Sequence, residues 1–232
     1  MDTFVLVHGS TGGDGHWLQI APALADRFDV VTPVYAQDDG PPVEVDDLVA
    51  EVLAQVDADR FHLAGWSLGS VVAAGVAAAA PERVQSLTLV SSWARTDARM
   101  RFTFDLWRRL LAADRELFAR YSFADGLTAA SFELFGDGVE ALVPVTASMF
   151  VPGSDRHLEL DVRVDITDRL GSITAPTLVV GGREDRWVDV AHSRTLAELI
   201  TDARLVELDC GHLIPTERAA ELIDLLVEHA TK

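Results

Sequence analysis

Gly65-Trp66-Ser67-Leu68-Gly69 sets a single serine between two glycines, directly after the apolar run Phe61-His62-Leu63-Ala64 and directly before the small-residue segment Ser70 to Ala80. A serine hydroxyl is a weak nucleophile at neutral pH. To attack a carbonyl carbon it needs a base within hydrogen-bond reach, and that base needs an acid to orient it. His212, closing Asp209-Cys210-Gly211-His212 behind the apolar run Arg204 to Leu208, is the candidate base. Asp185, closing Gly181-Gly182-Arg183-Glu184-Asp185 behind Thr177 to Val180, is the candidate acid. Glu184 and Asp209 are its rivals. Glu184 would point away if Asp185 points in, and Asp209, so near His212, suits a turn. His8 reads as a structural donor in a loop. His16, His62, His157, His192 and His229 lack comparable placement and read as structural or solvated, and Cys210 as a small buried residue.

The elements that must position these groups are short apolar runs alternating with helical patterns. Strands are expected at Phe4–Val7, Asp29–Pro33, 61–64, Leu87–Val90, Thr177–Val180 and Arg204–Leu208. Helices are expected at about Trp17–Arg27, at Val45–Val56, from Ser70 until Pro81 ends it, and along the stripe Ala219, Leu222, Ile223, Leu226, Val227 and Ala230. That alternation predicts an α/β, doubly wound, predominantly parallel sheet of about six strands, with its active loops at the carboxyl ends of the strands. Each candidate residue follows such an end. An oxyanion developing at Ser67 would be met by the backbone N–H of Leu68 and by one from the loop His8-Gly9-Ser10-Thr11, with Ser10 preferred and Thr11 the alternative.

Between the fourth and fifth strands lie roughly eighty residues without a convincing strand, with helical patterns at 98–113, 115–123, 128–135 and 137–150. A second helical layer would explain them. A lid over the carboxyl edge explains them better, since both ends of the insertion fall at strand ends. The expected division is a core of residues 1–94 and 166–232 with a helical cap at 95–165. Trp17, Trp66, Ser92, Trp93 and Trp187 from the core, with Phe102, Trp107, Phe135 and Phe150 from the cap, are the candidate pocket residues.

The net charge of −18 argues against nucleic acid and anionic membrane surfaces as partners. No apolar run reaches membrane-spanning length, the amino terminus lacks the basic segment of a signal peptide, and the single cysteine suits a reducing compartment, so a cytoplasmic protein is expected. Residues 95–120 carry seven arginines. These form either a solvated helix face paired with local acids or a docking patch for an acyl carrier protein.

His8-Gly9, the Gly-Trp-Ser-Leu-Gly turn, Pro81-Glu82-Arg83-Val84, Gly182-Arg183-Glu184-Asp185 and Gly211-His212 together resemble the α/β-hydrolase superfamily, from Phe4 to about Leu226. The turn is similar to that of pimeloyl-carrier-protein methyl ester esterases, and the cap and Asp165-Ile166-Thr167 to enol-lactonases and related small esterases. Most members carry an antiparallel hairpin before the His-Gly strand. Here that strand begins at residue 4, so the resemblance implies six parallel strands, as in plant methylesterases and hydroxynitrile lyases. Leu213-Ile214-Pro215 lacks the tryptophan that many carbon–carbon bond hydrolases place after the histidine, and serine at position 67 argues against haloalkane dehalogenases and epoxide hydrolases.

The function expected is cleavage of a carboxylic ester or lactone of a small, mainly hydrophobic molecule through a Ser67-His212-Asp185 acyl-enzyme, with no metal or cofactor. Alternatives are a thioesterase acting on carrier-protein or coenzyme A thioesters, a cofactor-free lyase or oxygenase with the same triad, and a non-hydrolytic receptor. The oligomeric state is left open.

Overall fold

Strands buried on both faces read as continuous apolar runs, and the computed structural model, which describes residues 1–232, forms its sheet from such runs. The six strands are β1 (Thr3–Val7), β2 (Asp29–Val31), β3 (Phe61–Trp66), β4 (Val84–Val90), β5 (Thr177–Gly182) and β6 (Ala203–Leu208). Their order is β2-β1-β3-β4-β5-β6, and every neighbouring pair is parallel. Every residue of β3 and β5 is buried. The chain runs outward from β1 to β2, then crosses back to β3 and continues the other way. The loops after β1 and β3 therefore diverge, opening a crevice at the carboxyl edge.

The helices are α1 (Ala21–Leu24), α2 (Val45–Leu53), α3 (Leu68–Ala79), α4 (Ala98–Ala113), α5 (Arg115–Gly126), α6 (Ala129–Phe135), α7 (Gly138–Met149), α8 (Ser154–Asp161), α9 (Val190–Leu199), α10 (Ile214–Glu217) and α11 (Ala219–Ala230). The helix expected from Trp17 to Arg27 is instead a 3-10 turn, Asp14–Trp17, followed by the four-residue α1. Pro22 lies in the first turn of α1, where its missing N–H costs nothing; a helix running through it from Trp17 would lose a hydrogen bond and clash. Helices α8, α9 and α10 have no counterpart among the expected elements. No helix is long and apolar enough to cross a membrane.

Helices α4 to α8 form the segment between β4 and β5. Its ends meet at a neck, where Arg95 and Asp165 form an isolated antiparallel bridge flanked by the bonds Thr96 N–H to Val164 O (2.9 Å) and Ile166 N–H to Ala94 O (2.8 Å). One core of 64 buried residues runs from the sheet into this segment through Phe104, Trp107, Phe118, Val143 and Leu158, so the insertion is packed onto the sheet. Of the seven arginines of residues 95–120, three pair with nearby acids, Arg108 with Asp155, Arg109 with Asp105 and Arg120 with Glu140, while Arg101 and Arg115 donate to backbone carbonyls.

Candidate active site

Ser67 is the residue between β3 and α3, and its backbone takes φ 56° and ψ −127°, a conformation that side chains rarely adopt. Two glycines make the turn possible. A Cβ at Gly65 would lie 2.1 Å from the Gly69 carbonyl oxygen, and one at Gly69 would lie 2.2 Å from the carbonyl oxygens of Val7 and His8. The turn is anchored to the sheet by the Ser67 N–H, which donates to Val90 O at 2.9 Å.

His212 Nε2 lies 3.0 Å from Ser67 Oγ, and His212 Nδ1 lies 2.7 Å from Asp185 Oδ2. All three residues are buried. The other carboxylate oxygen, Asp185 Oδ1, accepts the N–H groups of Trp187 (2.8 Å) and Val188 (2.9 Å). Asp185 thus turns Oδ2 to the imidazole and puts the proton on Nδ1, which leaves Nε2 as the acceptor facing the serine hydroxyl. The rivals are elsewhere: Glu184 is exposed, and Asp209 pairs with Arg183. The His212 main chain is clamped on both sides. Its N–H donates to Gly126 O at 3.0 Å, and its carbonyl accepts from Trp66 Nε1 (3.1 Å) and Ser91 Oγ (3.2 Å).

In the loop after β1 the N–H groups of Ser10 and Thr11 differ in their partners. The Thr11 N–H donates to His157 Nδ1 at 3.0 Å and the Gly9 N–H to His16 Nδ1 at 3.1 Å, while the Ser10 N–H makes no bond within the chain. The Ser10 hydroxyl donates to Asp161 Oδ2 at 2.6 Å. Leu68, as the first residue of α3, has an N–H without an acceptor in its own helix. Ser10 and Leu68 therefore hold the free donors beside Ser67.

Three imidazoles support this loop, those of His8 and His157 buried and that of His16 half-buried. Burial pushes His8 down to about 3, with His16 adding to the effect and Gly9 O opposing it. Burial likewise lowers His16 to about 4 and His157 to about 3. All three are neutral at physiological pH, as the accepting nitrogens of His16 and His157 require. Asp161 is the reverse case: burial pushes its carboxyl up to about 8, with the Ser10 hydroxyl opposing. Burial pushes the Cys210 thiol up to about 12, which makes it a poor nucleophile.

Ser67 and His212 face a cavity of about 90 Å³ whose wall includes Trp66, Trp107, Phe118, Phe123, Phe150 and Trp187. Trp187 packs against the His212 ring at 4.6 Å and against Trp107 at 4.4 Å. Of the expected pocket residues, Trp66, Trp107, Phe150 and Trp187 line the cavity and five do not. Trp17, Ser92 and Trp93 are fully buried in the core, where Trp93 packs on Phe104. Phe102 is 78% exposed, on the outer face of α4. Phe135 is partly buried at the end of α6, away from the cavity. A larger cleft of about 540 Å³, bordered by Arg60, His62 and Asp202, lies at the amino-terminal ends of the strands, far from Ser67.

Several residues of the site carry no signal in the sequence. Glu217 is buried; its Oε1 accepts the Gly211 N–H (2.9 Å), and its Oε2 accepts from the Thr128 N–H, the Thr128 hydroxyl and the Ser131 hydroxyl. It joins the loop bearing His212 to the α5–α6 corner. Phe118, Phe123, Ser122 and Thr146 of the insertion also border the cavity. Such residues are brought in by helices whose packing direction no local pattern reveals.

A family model described as alpha/beta hydrolase fold matches residues 2–219. The chain is 34% identical to pyrrolizixenacetamide deacetylase of Xenorhabdus hominickii over 235 residues, covering 96% of this chain and 88% of that protein. It is also 34% identical to a protein of Azorhizobium caulinodans named as the carbamate hydrolase RutD, covering 89% of this chain and 82% of the other. Among solved structures, the enol-lactonase of Burkholderia xenovorans LB400 superposes with a TM-score of 0.85 at 22% identity, over 100% of this chain and 92% of the other. With the all-parallel sheet, the turn at Ser67 and matches of this extent, the chain belongs to the α/β-hydrolase fold family, whose relatives here are named for hydrolytic reactions.

Proposed function

We propose that the protein is a serine hydrolase that cleaves the acyl bond of a small, mainly hydrophobic ester or lactone in two steps. Ser67 Oγ attacks the carbonyl carbon while its proton passes to His212 Nε2, and the oxyanion is held by the N–H groups of Leu68 and Ser10. The tetrahedral adduct expels the alcohol or enol oxygen, which takes the proton from His212, leaving the acyl group on Ser67. Water then gives a proton to His212 Nε2 and attacks the acyl carbon. The proton returns to Ser67 Oγ as the carboxylic acid leaves. Asp185 holds the tautomer and stabilises the imidazolium between transfers.

The observation that carries this reading is the relay itself: 3.0 Å from Ser67 Oγ to His212 Nε2 and 2.7 Å from His212 Nδ1 to Asp185, with unengaged N–H groups alongside. Helices α4 to α8 act as the cap, since Trp107, Phe118, Phe123 and Phe150 close the cavity from that side. For a carrier-protein partner, Arg108 and Arg109 are already engaged by Asp155 and Asp105, whereas the exposed Arg95 and Arg99 form no ion pair, and the acyl thioesters in the panel below address this alternative. The buried single thiol suits a reducing compartment, and we place the enzyme in the cytoplasm.

The test is a panel of short-chain esters, lactones, acyl thioesters and acetamides, the last included because of the deacetylase relative, with Ser67→Ala as control. Ester or lactone turnover lost in Ser67→Ala, with Ser67 labelled by a fluorophosphonate, is the expected result. Failure of Ser67 to label, or turnover that survives Ser67→Ala, refutes the mechanism.

A further inference from the structure

The cavity over Ser67 is small, and it adjoins a second space about three times its volume. A groove of about 270 Å³ runs between α7 and the loop after β1, and it reaches solvent at Leu18, Leu142 and Val145 (68%, 40% and 53% exposed). The two spaces share six residues, His16, Trp66, Phe123, Thr146, Phe150 and Leu213. We propose that the site sorts its substrate by size across this shared wall: a short acyl group fills the small aromatic-walled cavity, and a larger, uncharged leaving group lies in the groove.

This inference rests on the serine-hydrolase reading and adds the substrate class. The cavity, at about 90 Å³, has a third of the groove's volume, so the shorter part of the substrate is the one assigned to it. Its far end is set by Trp107, Phe118 and Trp187, buried rings already in contact, so a longer chain must displace packed aromatics. The groove, at about 270 Å³, has none of those three rings in its lining. Its floor includes Leu213, Pro215 and Thr216, the residues following His212, whose Nε2 gives the proton to the departing atom. The leaving group thus exits along the groove. Although 24% of the chain is charged, no Asp, Glu, Lys or Arg lines either space. A charged substituent would lose its hydration without a partner.

The experiment compares kcat/KM for ethyl acetate, ethyl octanoate, 2-(1-naphthyl)ethyl acetate and 2-(1-naphthyl)ethyl octanoate, pairs in which the leaving alcohols have similar intrinsic reactivity. The naphthylethyl acetate is expected to be the best of the four, and each octanoate to fall by about a hundredfold or more against its acetate. Val145→Glu, at a half-exposed position the fold tolerates, is expected to lower the naphthylethyl-to-ethyl acetate ratio about tenfold. That ratio is independent of the folded fraction. Ser67-dependent turnover that favours octanoates, or a ratio unmoved by Val145→Glu, overturns the size sorting and leaves the mechanism standing. Absence of Ser67-dependent turnover on all four overturns both.

Discussion

Replacing Asp185 with asparagine exchanges one carboxylate oxygen for an amide nitrogen, and the surroundings decide which one. Asp185 Oδ1 accepts two backbone N–H groups, from Trp187 at 2.8 Å and Val188 at 2.9 Å. An NH₂ placed there would leave both donors buried without acceptors, at about 1–3 kcal/mol each. The asparagine carbonyl therefore takes that position, and its NH₂ faces His212 Nδ1. That nitrogen must now accept, so the ring proton moves to Nε2, 3.0 Å from Ser67 Oγ. Nε2 can no longer take the serine proton. In serine hydrolases a wrong tautomer of this kind costs about 10⁴ in kcat, or about 5 kcal/mol of transition-state stabilisation. The two backbone bonds survive, so Asp185→Asn should melt close to wild type. Asp185→Ala loses both bonds and should lose about 2–6 kcal/mol of stability as well. The assay is steady-state turnover of a short-chain acetate at pH 7–8, paired with thermal melts of both variants. A loss in Asp185→Asn of less than about tenfold, with an unchanged melt, would refute the tautomer argument.

Glu217→Gln keeps an acceptor for the Thr128 and Ser131 donors but turns its NH₂ toward the Gly211 N–H, and should cost about 1–3 kcal/mol. Glu217→Ala also strands the Thr128 N–H and should cost about 3–5 kcal/mol, both read by chemical denaturation. Gly69→Ala would drive a methyl group into the Val7 and His8 carbonyls and should give little folded protein, judged by soluble yield and circular dichroism. Asp161, raised to about 8, binds a proton in the folded chain that the unfolded chain has released, so its contribution is full below pH 4 and is lost as pH rises through 8. Between pH 6.5 and 8 wild type should therefore lose up to about 1.4 kcal/mol per pH unit at this residue, and Asp161→Asn should flatten that slope. The lowered imidazoles of His8, His16 and His157 act oppositely, and their contribution is lost as pH falls from about 6.5 toward 3. Denaturation midpoints taken from pH 5 to 9 on both proteins separate the two effects, and parallel curves above pH 6.5 would contradict the Asp161 assignment.

What the sequence by itself determined lies where local rules operate. A buried parallel strand must be a short apolar run, and a nucleophile turn with positive φ must have glycines where the backbones touch. Ser67, Asp185 and His212 are therefore legible as candidates, each within four residues of the end of a strand that period and composition reveal. The two-residue ambiguity between Ser10 and Thr11 was not, because it depends on His157, which arrives from α8, 146 residues along the chain. The pocket was misread for the same reason. Whether an aromatic side chain such as Trp17, Trp93, Phe102 or Phe135 meets a cavity, the core or solvent is set by how a helix is rotated on its neighbours, and aromatic residues suit core and pocket walls equally. Glu217 reads in sequence as one acid among many, and only the α5–α6 corner, folded against the His212 loop, turns it into a buried acceptor. The positions of Ser67, Asp185 and His212 follow from backbone chemistry along the chain, whereas the cavity beside them exists only because α4, α5 and α7 pack where they do.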